Sequence, residues 1–153
     1  MATPLTQLHP LLSIPFSATT DFTELAGYCE LFAETLLESD DPALRMALCG
    51  RLSACIALLR STLDEPVPHH LAESLTVDIL PSVSLGIDPD SELLCDYCLA
   101  VTELLTGGAL SRERERTLGG LLAELVWYLA DGLKAPRWIR TPDGVRCITE
   151  VAA

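Results

Sequence analysis

The sequence predicts a mainly α-helical fold, in which two internally duplicated helical hairpins form a four-helix bundle with short extended arms and a small C-terminal β-hairpin. Residues 11–66 align with residues 80–136 at an offset of 69, which widens to 70 after the first helix. Each repeat contains two stretches whose apolar side chains recur at i, i+3 and i+4, the spacing of a helix with one buried face. Residues 137–153 instead show a strand–turn–strand pattern. At this length the chain, 1–153, is predicted to form a single domain.

The repeat extends to individual residue types. Cys29 falls on Cys98, and Gly50 falls on Gly120. A supersecondary unit that occurs twice predicts that each copy covers the apolar face of the other. The matched cysteines predict a shared core contact, because a free cysteine behaves as a small buried hydrophobe. Glycine inside a helix costs about 0.5–1 kcal/mol relative to alanine, so its presence at both matched positions predicts that the second helices of the two repeats approach each other closely.

The first repeat predicts two helices. The first covers about residues 21–38, with Asp21 and Glu24 placed as in a capping box. The second starts at Asp41, because an acidic N-cap followed by proline is a favoured helix start, and Pro66 ends it. The predicted core positions are Phe22, Leu25, Ala26, Cys29, Phe32, Ala33, Leu36 and Leu37 in the first helix and Leu44, Ala47, Leu48, Leu52, Cys55, Ile56, Leu59 and Leu63 in the second.

The second repeat predicts two more helices. The third starts at Asp88, which is again followed by proline, and ends at Gly107 and Gly108. The fourth starts at Ser111 and ends before Pro136. The short connection within each repeat predicts an antiparallel helical hairpin. The predicted core positions are Leu93, Leu94, Tyr97, Cys98, Val101, Leu104 and Leu105 in the third helix and Leu118, Leu121, Leu122, Leu125, Val126, Leu129 and Leu133 in the fourth.

The remaining segments are predicted to be extended or turn-like. Residues 11–16 and 80–87 precede the first helix of each repeat, either as short strands or as arms laid along the bundle. Residues 138–141 and 145–149 flank a Pro-Asp-Gly turn and form the predicted C-terminal hairpin. An isolated hairpin is marginally stable in water, so we expect it to pack on the bundle, pair with an arm or dock on a partner. Residues 69–75 have the composition of one or two helical turns.

The charge of the chain restricts its partners. The net charge is −12, and the acidic residues are spread over both repeats rather than collected in a tail. Binding to nucleic acid or to an anionic membrane depends on clustered lysine and arginine, so direct binding of either is disfavoured. A basic protein surface is the partner that such a field attracts. The alternative is that the acidity serves solubility alone.

The length of the apolar runs and the placement of the cysteines indicate the cellular compartment. No apolar run reaches about 18 residues, and no basic segment precedes an apolar stretch, so the sequence predicts neither a membrane span nor a secretory signal. The six cysteines fall inside helical patterns, which is unlike a disulfide framework. A cytoplasmic location is therefore expected.

The sequence contains one motif that resembles a reactive site. Cys95 and Cys98 have the C-x-x-C spacing of redox and zinc motifs, but they fall within a helix rather than after a strand, so core packing is the preferred interpretation. His69 and His70 lack a second closely spaced pair of ligands. The chain has neither a G-x-S-x-G context for a nucleophile nor a phosphate-binding loop. We therefore expect no enzymatic activity, catalytic residue, metal or cofactor, with a thiol or metal site at the two cysteines as a remote alternative.

The leading functional hypothesis is a non-enzymatic, acidic protein-binding module. It would be a small inhibitor that occupies a basic surface of a larger protein machine, a surface that can normally hold nucleic acid. In general character the chain is similar to anti-CRISPR and toxin-immunity proteins, although no motif is shared. The alternative is a structural or regulatory homodimer that associates through exposed leucines. The arginines and tryptophan of the tail are predicted either to pack on the acidic body or to anchor a partner. The residues predicted to bind a partner are Glu30, Glu34, Glu38, Asp40, Asp41, Asp96, Glu103, Trp138 and Arg140.

Overall fold

The computed structural model of the chain describes residues 9–81 and 90–151, and this part is mainly helical with a small three-stranded sheet. Two 3-10 turns lie at Pro10–Ser13 and His69–Leu71, and the second confirms the helical turn predicted within residues 69–75. The helices are α1 (Phe22–Glu38), α2 (Pro42–Thr62), α3 (Ser91–Thr106), α4 (Arg112–Lys134) and α5 (Ile148–Val151). The strands are β1 (Thr76–Val77), β2 (Trp138–Thr141) and β3 (Gly144–Cys147).

The predicted starts of α1 and α2 are confirmed. The Asp21 carboxylate accepts hydrogen bonds from the backbone N–H groups of Thr23 and Glu24 at 2.9 and 3.0 Å. The Asp41 carboxylate accepts one from the N–H group of Ala43 at 3.0 Å. Each carboxylate thereby satisfies donors that the first helical turn leaves without a partner. These interactions are local, so the sequence is sufficient to predict them.

The start of α4 is also confirmed, whereas that of α3 was predicted too early. The Ser111 hydroxyl accepts a hydrogen bond from the N–H group of Arg114 at 3.3 Å, as an N-cap does. At α3 the N-cap is Asp90, whose carboxylate accepts from the N–H group of Glu92 at 3.3 Å. Asp88, the predicted N-cap, lies outside the described residues. Two acids compete for this role, and the one nearer the first free N–H group of the helix takes it.

The four long helices pack around one apolar core. α1 contacts α2 and α4, and α3 contacts the same two helices, so that α1 and α3 lie across the core from each other. Burying a leucine side chain contributes about 1.5–3 kcal/mol, so the shared core is the main source of stability. Its largest fully buried members are Leu25, Phe32, Leu36, Leu48, Leu52, Ile56, Leu59, Leu122, Val126 and Leu129.

Several residues predicted for the core lie at the surface instead. The apolar stripes of the helices are wider than the arc that their neighbours can cover, because a helix with two neighbours buries only part of its circumference. The surplus residues therefore face solvent in the described structure. They are Leu37 in α1, Ala47 in α2, Leu93, Tyr97 and Leu104 in α3, and Leu121 in α4.

The N-terminal arm lies along the helices, which is one of the two arrangements predicted for it. After the 3-10 turn the backbone is extended at Ile14, and Pro15 and Phe16 have no regular secondary structure. The Phe16 ring packs against Tyr28 and Phe32 of α1, with centroid separations of 6.4 and 6.2 Å. The 3-10 turn itself contacts α2. The second predicted arm, residues 80–87, falls largely outside the described residues.

The C-terminal hairpin is confirmed, and it pairs with a strand that the sequence did not predict. β2 and β3 are antiparallel, and their turn ends at Gly144, whose φ of +115° is a conformation that glycine adopts readily. β1 comes from the connector between the repeats and pairs in parallel with β2, with Thr76 opposite Trp138. This third strand supplies the support that an isolated hairpin lacks. The predicted second strand, 145–149, is shorter than expected, because β3 ends at Cys147 and α5 follows.

The close approach predicted at Gly50 and Gly120 is wrong. A β-carbon added at either glycine would meet no atom within 4 Å. The two helices that carry them, α2 and α4, lie across the core from each other rather than side by side. The tighter position is the buried Gly119, where an added β-carbon would lie 3.4 Å from a guanidinium nitrogen of Arg45. The alignment of glycines between the two repeats therefore did not identify Gly119, the glycine with a close neighbour.

Packing in the core explains only part of the apolar composition of α2, since 33% of its apolar 18-residue window is buried. By length and composition alone, α2 is the one helix in the described ranges that could cross a membrane. It packs against α1 and α3, and Leu48, Leu52 and Ile56 are among its buried residues. The core helix of a soluble protein meets the same criterion, so the predicted absence of a membrane span stays a prediction.

We expect Gly50→Ala and Gly120→Ala each to raise the free energy of unfolding by about 0.5–1 kcal/mol, because alanine restricts the unfolded backbone and favours the helix. Both positions have room for a methyl group. Urea denaturation followed by far-ultraviolet circular dichroism measures the change. Gly144→Ala is the contrasting control, since a positive φ should make that substitution destabilising. A loss of stability at either helical glycine would contradict the packing described.

Candidate protein-binding surfaces

An acidic row lies along the outward side of α1, and we define it as Glu24, Glu34 and Glu38. All three side chains are exposed, and Glu34 and Glu38 lie one helical turn apart. α1 has no basic residue. Within the described ranges, no basic group lies within 4.0 Å of the Glu34 or Glu38 carboxylate. Glu30 differs, because it forms an ion pair with the ammonium group of Lys134 at 2.7 Å.

The two acids that follow α1 have different roles. The Asp40 side chain is 97% exposed, and its nearest cation is the Arg116 guanidinium at 3.9 Å. An exposed pair at this distance contributes little to stability. Asp40 also lines a pocket with Arg45, Arg112 and Arg116, so the charge around it is mixed. The Asp41 carboxylate instead caps α2. Of the two residues predicted here, only Asp40 is available to a partner.

The predicted acids of α3 lie on the other side of the molecule. The Asp96 carboxylate accepts a hydrogen bond from the Arg60 guanidinium at 2.6 Å, and Glu92 accepts one from the same group at 2.9 Å. Glu103 is exposed. Because α1 and α3 lie across the core from each other, Asp96 and Glu103 do not share a surface with the acidic row.

The two predicted anchors in the tail contact the protein itself. Trp138 is half-buried and packs against the core. The Arg140 guanidinium lies 3.1 Å from the Asp78 carboxylate, which follows β1. The neighbouring Arg137 places its guanidinium 5.1 Å from the ring centroid of Phe22, a distance suited to a cation–π interaction. The tail therefore packs on the helices and the connector, as one of the two alternatives predicted.

The arginines of α2 are also held by internal partners. Arg45 donates to two carbonyl groups at the C-terminal end of α1 at 2.7 and 3.1 Å, where a cation is favoured by the helix dipole. Arg51 donates to the carbonyl group of Ile14, and its guanidinium lies 4.2 Å from the ring centroid of Phe16. Arg60 binds the acids of α3. α2 has no acidic residue of its own. The charge left free on the outward sides of α1 and α3 is consequently negative.

A second candidate surface is apolar, and it consists of residues that were predicted for the core. We define the α3/α4 apolar face as Leu93, Tyr97, Leu104, Leu118 and Leu121. Tyr97, Leu104 and Leu121 are 46%, 53% and 47% exposed. The first three residues follow one side of α3 at helical spacing, and Leu118 and Leu121 lie one turn apart on α4.

The two helices of this face join at a groove. Leu104 of α3 and Leu118 of α4 line the groove, and Leu110 of the connecting loop completes its apolar lining. Its volume is about 610 Å³. Contiguous exposed apolar surface of this kind is typical of interaction sites. The signal in the sequence was the doubling of apolar residues along α3, which gives that helix two apolar sides instead of one. The doubled pairs are Leu93-Leu94, Tyr97-Cys98 and Leu104-Leu105.

The cysteines of the C-x-x-C motif are core residues. Both side chains are fully buried. Burial raises the pKa of Cys95 to about 11 and that of Cys98 to about 12, because a thiolate loses its hydration there. Cys29, the repeat mate of Cys98, is buried as well, and a hydrogen bond with Cys55 together with burial raises its pKa. These groups are protonated at neutral pH, which makes them poor nucleophiles and poor metal ligands.

The residues considered as metal ligands do not converge in the part of the chain that the structure covers. No group of three histidine, cysteine, aspartate or glutamate side chains there has the geometry to hold a metal ion. His69 and His70 are exposed in a 3-10 turn. His70 lies 3.5 Å from the carboxylate of Asp21, a residue already engaged as a helix cap. The geometry thus gives no support to the remote alternative of a metal site.

Comparison with known proteins leaves the function to be argued from these surfaces. No protein-family model, curated protein or solved structure matches the chain.

We expect a single thiol of the native protein to react rapidly with Ellman's reagent. Cys147 is only partly buried, and hydrogen bonds from the side chain and backbone of Thr149 lower its pKa, which favours the reactive thiolate. The remaining five cysteines are buried. Cys147→Ser should abolish the rapid phase, and concentrated guanidinium chloride should release the others. A rapid phase that persists in the Cys147→Ser variant would contradict the burial of the core thiols.

Proposed function

We propose that this chain is a non-catalytic protein-binding module whose acidic row on α1 engages a basic protein surface. The observation that carries the proposal is the pair Glu34 and Glu38, exposed one turn apart and without a basic partner among the described residues. Like charges at this spacing destabilise an isolated helix. A basic surface placed against α1 relieves that repulsion and gains charge-assisted hydrogen bonds.

The position of the other predicted acids restricts the site. Asp40 lies just beyond the C-terminal end of α1, and among the described residues its carboxylate has one ion pair, a long and exposed contact with Arg116, so it joins the site. Glu30 is already paired with Lys134, and Asp41 is used as a helix cap. The proposed binding site is therefore the acidic row together with Asp40.

The chemistry of the site favours one class of partner. Clustered lysine and arginine occur above all where a protein holds the phosphates of a nucleic acid. A row of carboxylates competes for the same groups, so the module would act as an antagonist of a larger nucleic-acid-handling machine. Occupying a basic surface in this way is the mode of action expected from the general likeness to anti-CRISPR and toxin-immunity proteins. The free state of all six cysteines supports a reducing, cytoplasmic location.

We also propose that the helices form a four-helix bundle that arose by internal duplication. The contacts of α1 with α2 and of α3 with α4 support two helical hairpins. Residues that match between the repeats are buried in both halves, which supports a common origin because each hairpin then covers the other in the same way. These pairs are Leu25 and Leu94, Cys29 and Cys98, Leu36 and Leu105, Leu52 and Leu122, Ile56 and Val126, and Leu59 and Leu129.

We expect the combined substitutions Glu34→Lys and Glu38→Lys to abolish capture of the partner. A lysate of the source organism is passed over immobilised protein at about 50 mM salt, and retained proteins are identified by mass spectrometry. Wild-type protein should retain a basic protein and release it as the salt rises to about 500 mM, because screening shortens the range of exposed charges to a few ångströms.

The matched control is Asp64→Lys with Glu65→Lys, which changes the net charge equally. These residues are exposed beyond the end of α2, and Asp64 lines a pocket with Asp90 and Glu92 near the start of α3. The control variant should still capture the partner. Capture that survives the α1 substitutions, or that does not weaken with salt, contradicts the proposed site. Equal loss in both variants indicates attraction to net charge alone.

A further inference from the structure

Two arginines at the start of α4 have little engagement with the rest of the fold. Arg112 and Arg116 are exposed and lie one helical turn apart. Within the described ranges, no carboxylate lies within 4.0 Å of the Arg112 guanidinium, and Arg116 has one such contact, with Asp40 at 3.9 Å. By contrast, Arg60 and Lys134 each have a carboxylate within 2.9 Å. The first two arginines are therefore available to a ligand.

A third arginine faces this pair from α2. The Nη1 atom of Arg45 donates to the carbonyl groups of Leu36 and Ser39 at 2.7 and 3.1 Å, which holds the guanidinium in place. The Nη2 atom lies toward α4, since it would be 3.4 Å from a β-carbon added at Gly119. Both hydrogen bonds use Nη1, so within the described residues Nη2 and Nε are left for a ligand.

The three arginines line one pocket of about 300 Å³ between the start of α4 and the loop that joins α1 to α2. Its lining also includes Asp40 and Glu115, so the guanidinium groups outnumber the carboxylates by three to two. The Asp40 side chain is 97% exposed and can turn into solvent. The first turn of α4 adds backbone N–H groups that have no acceptor within the helix. The pocket as a whole therefore favours an anion.

An apolar pocket of about 80 Å³ adjoins the arginine pocket, and Arg45 lines both. Three of its apolar lining residues are buried, and the fourth, Met46, is 46% exposed. The buried three are Leu36, Cys49 and Leu105. A ligand whose anionic group lies among the arginines can therefore place a small apolar part in this inner pocket.

The parts of the chain outside the described residues do not supply the anion. Residues 1–8 contain no acidic side chain, and residues 152–153 are alanines that follow α5. In residues 82–89 the one acid is Asp88, two residues before the cap of α3 at Asp90. Two residues span at most about 7 Å. The pocket lies at the other end of α3, beside Leu105, and the sixteen residues of that helix extend about 24 Å.

We propose that the arginine pocket binds the phosphate group of a small phosphate monoester, whose apolar part enters the inner pocket. Three planar guanidinium groups offer paired N–H donors that match the oxygens of a phosphate. A carboxylate has two oxygens and a single charge, so it engages fewer of these donors. The net charge of −12 repels anions in general, so binding depends on this local cluster. The site goes beyond the protein-binding function proposed above and shares only Asp40 with it.

The test titrates the nitrogen-15-labelled full chain with inorganic phosphate and with phenyl phosphate at constant ionic strength. The side-chain Nε–H signals of Arg45, Arg112 and Arg116 should shift, whereas that of Arg60, which is bound to Asp96, should stay in place. Phenyl phosphate should bind more tightly than inorganic phosphate, because its ring reaches the inner pocket. Benzoate, which carries a carboxylate instead of a phosphate, should bind at least tenfold more weakly than phenyl phosphate.

Substitutions locate the binding. Arg112→Gln with Arg116→Gln should weaken the affinity for phenyl phosphate at least tenfold, because two of the three guanidinium groups are lost. Arg114→Gln with Arg146→Gln is the matched control, which changes the net charge equally and should leave the affinity unchanged. Arg114 lines a different groove, and Arg146 lies on β3. Asp40→Asn should strengthen binding, because its carboxylate repels the phosphate. All five side chains are exposed, so the variants should fold, which circular dichroism verifies.

Three outcomes overturn the site itself. They are no Nε–H shift at about 20 mM phenyl phosphate, equal weakening by the control pair, and weaker binding in the Asp40→Asn variant. Equal affinities for the two phosphates would overturn the ester and leave free phosphate as the ligand, and benzoate binding as tightly as phenyl phosphate would assign the pocket to a carboxylate. Failure of the acidic row is distinguishable, because Arg112→Gln with Arg116→Gln should preserve capture of the basic partner.

Discussion

The packing of leucine-rich faces between four helices is the interaction on which the rest of the structure depends. The helices α1 to α4 contain between 16 and 23 residues, and in proteins most of the stability of a helix comes from the packing of its apolar face rather than from intrinsic propensity. Each gains stability by burying one face against two neighbours. The small sheet depends on the same core, since Trp138 packs against it and fixes the start of β2.

The same constraint explains the apolar surface. A helix with two neighbours buries an arc of its circumference, and α3 has more apolar residues than that arc can hold. Leu94 and Cys98 occupy the buried arc, so Leu93 and Tyr97 are left at the surface. On α1 the corresponding outward positions are occupied by glutamate or covered by Phe16. The outward side of α1 is thereby acidic, whereas the α3/α4 apolar face is not.

The charge at the surface depends on which charged side chains form contacts inside the fold. The three arginines of α2 are bound to carbonyl groups, an aromatic ring and the acids of α3. The positive charge of α2 is therefore engaged in internal contacts. Within the described residues, Glu34 and Glu38 have no ion pair with a basic side chain. A net charge says little about where the charge lies, whereas the internal partners of Arg45, Arg51 and Arg60 show that the free charge on α1 is negative.

The sequence by itself determined the helices and most of their starts, because these depend on interactions within a few residues. Asp21, Asp41 and Ser111 cap their helices as local rules require. Only the tertiary structure decided that β1 joins the hairpin, since its partner β2 lies about sixty residues away in the chain. It also decided that Tyr97 faces solvent, that Gly50 has no close neighbour, and that Asp96 and Glu34 lie on different sides. Burial and pairing depend on which helices become neighbours, and spacing along one helix does not contain that information.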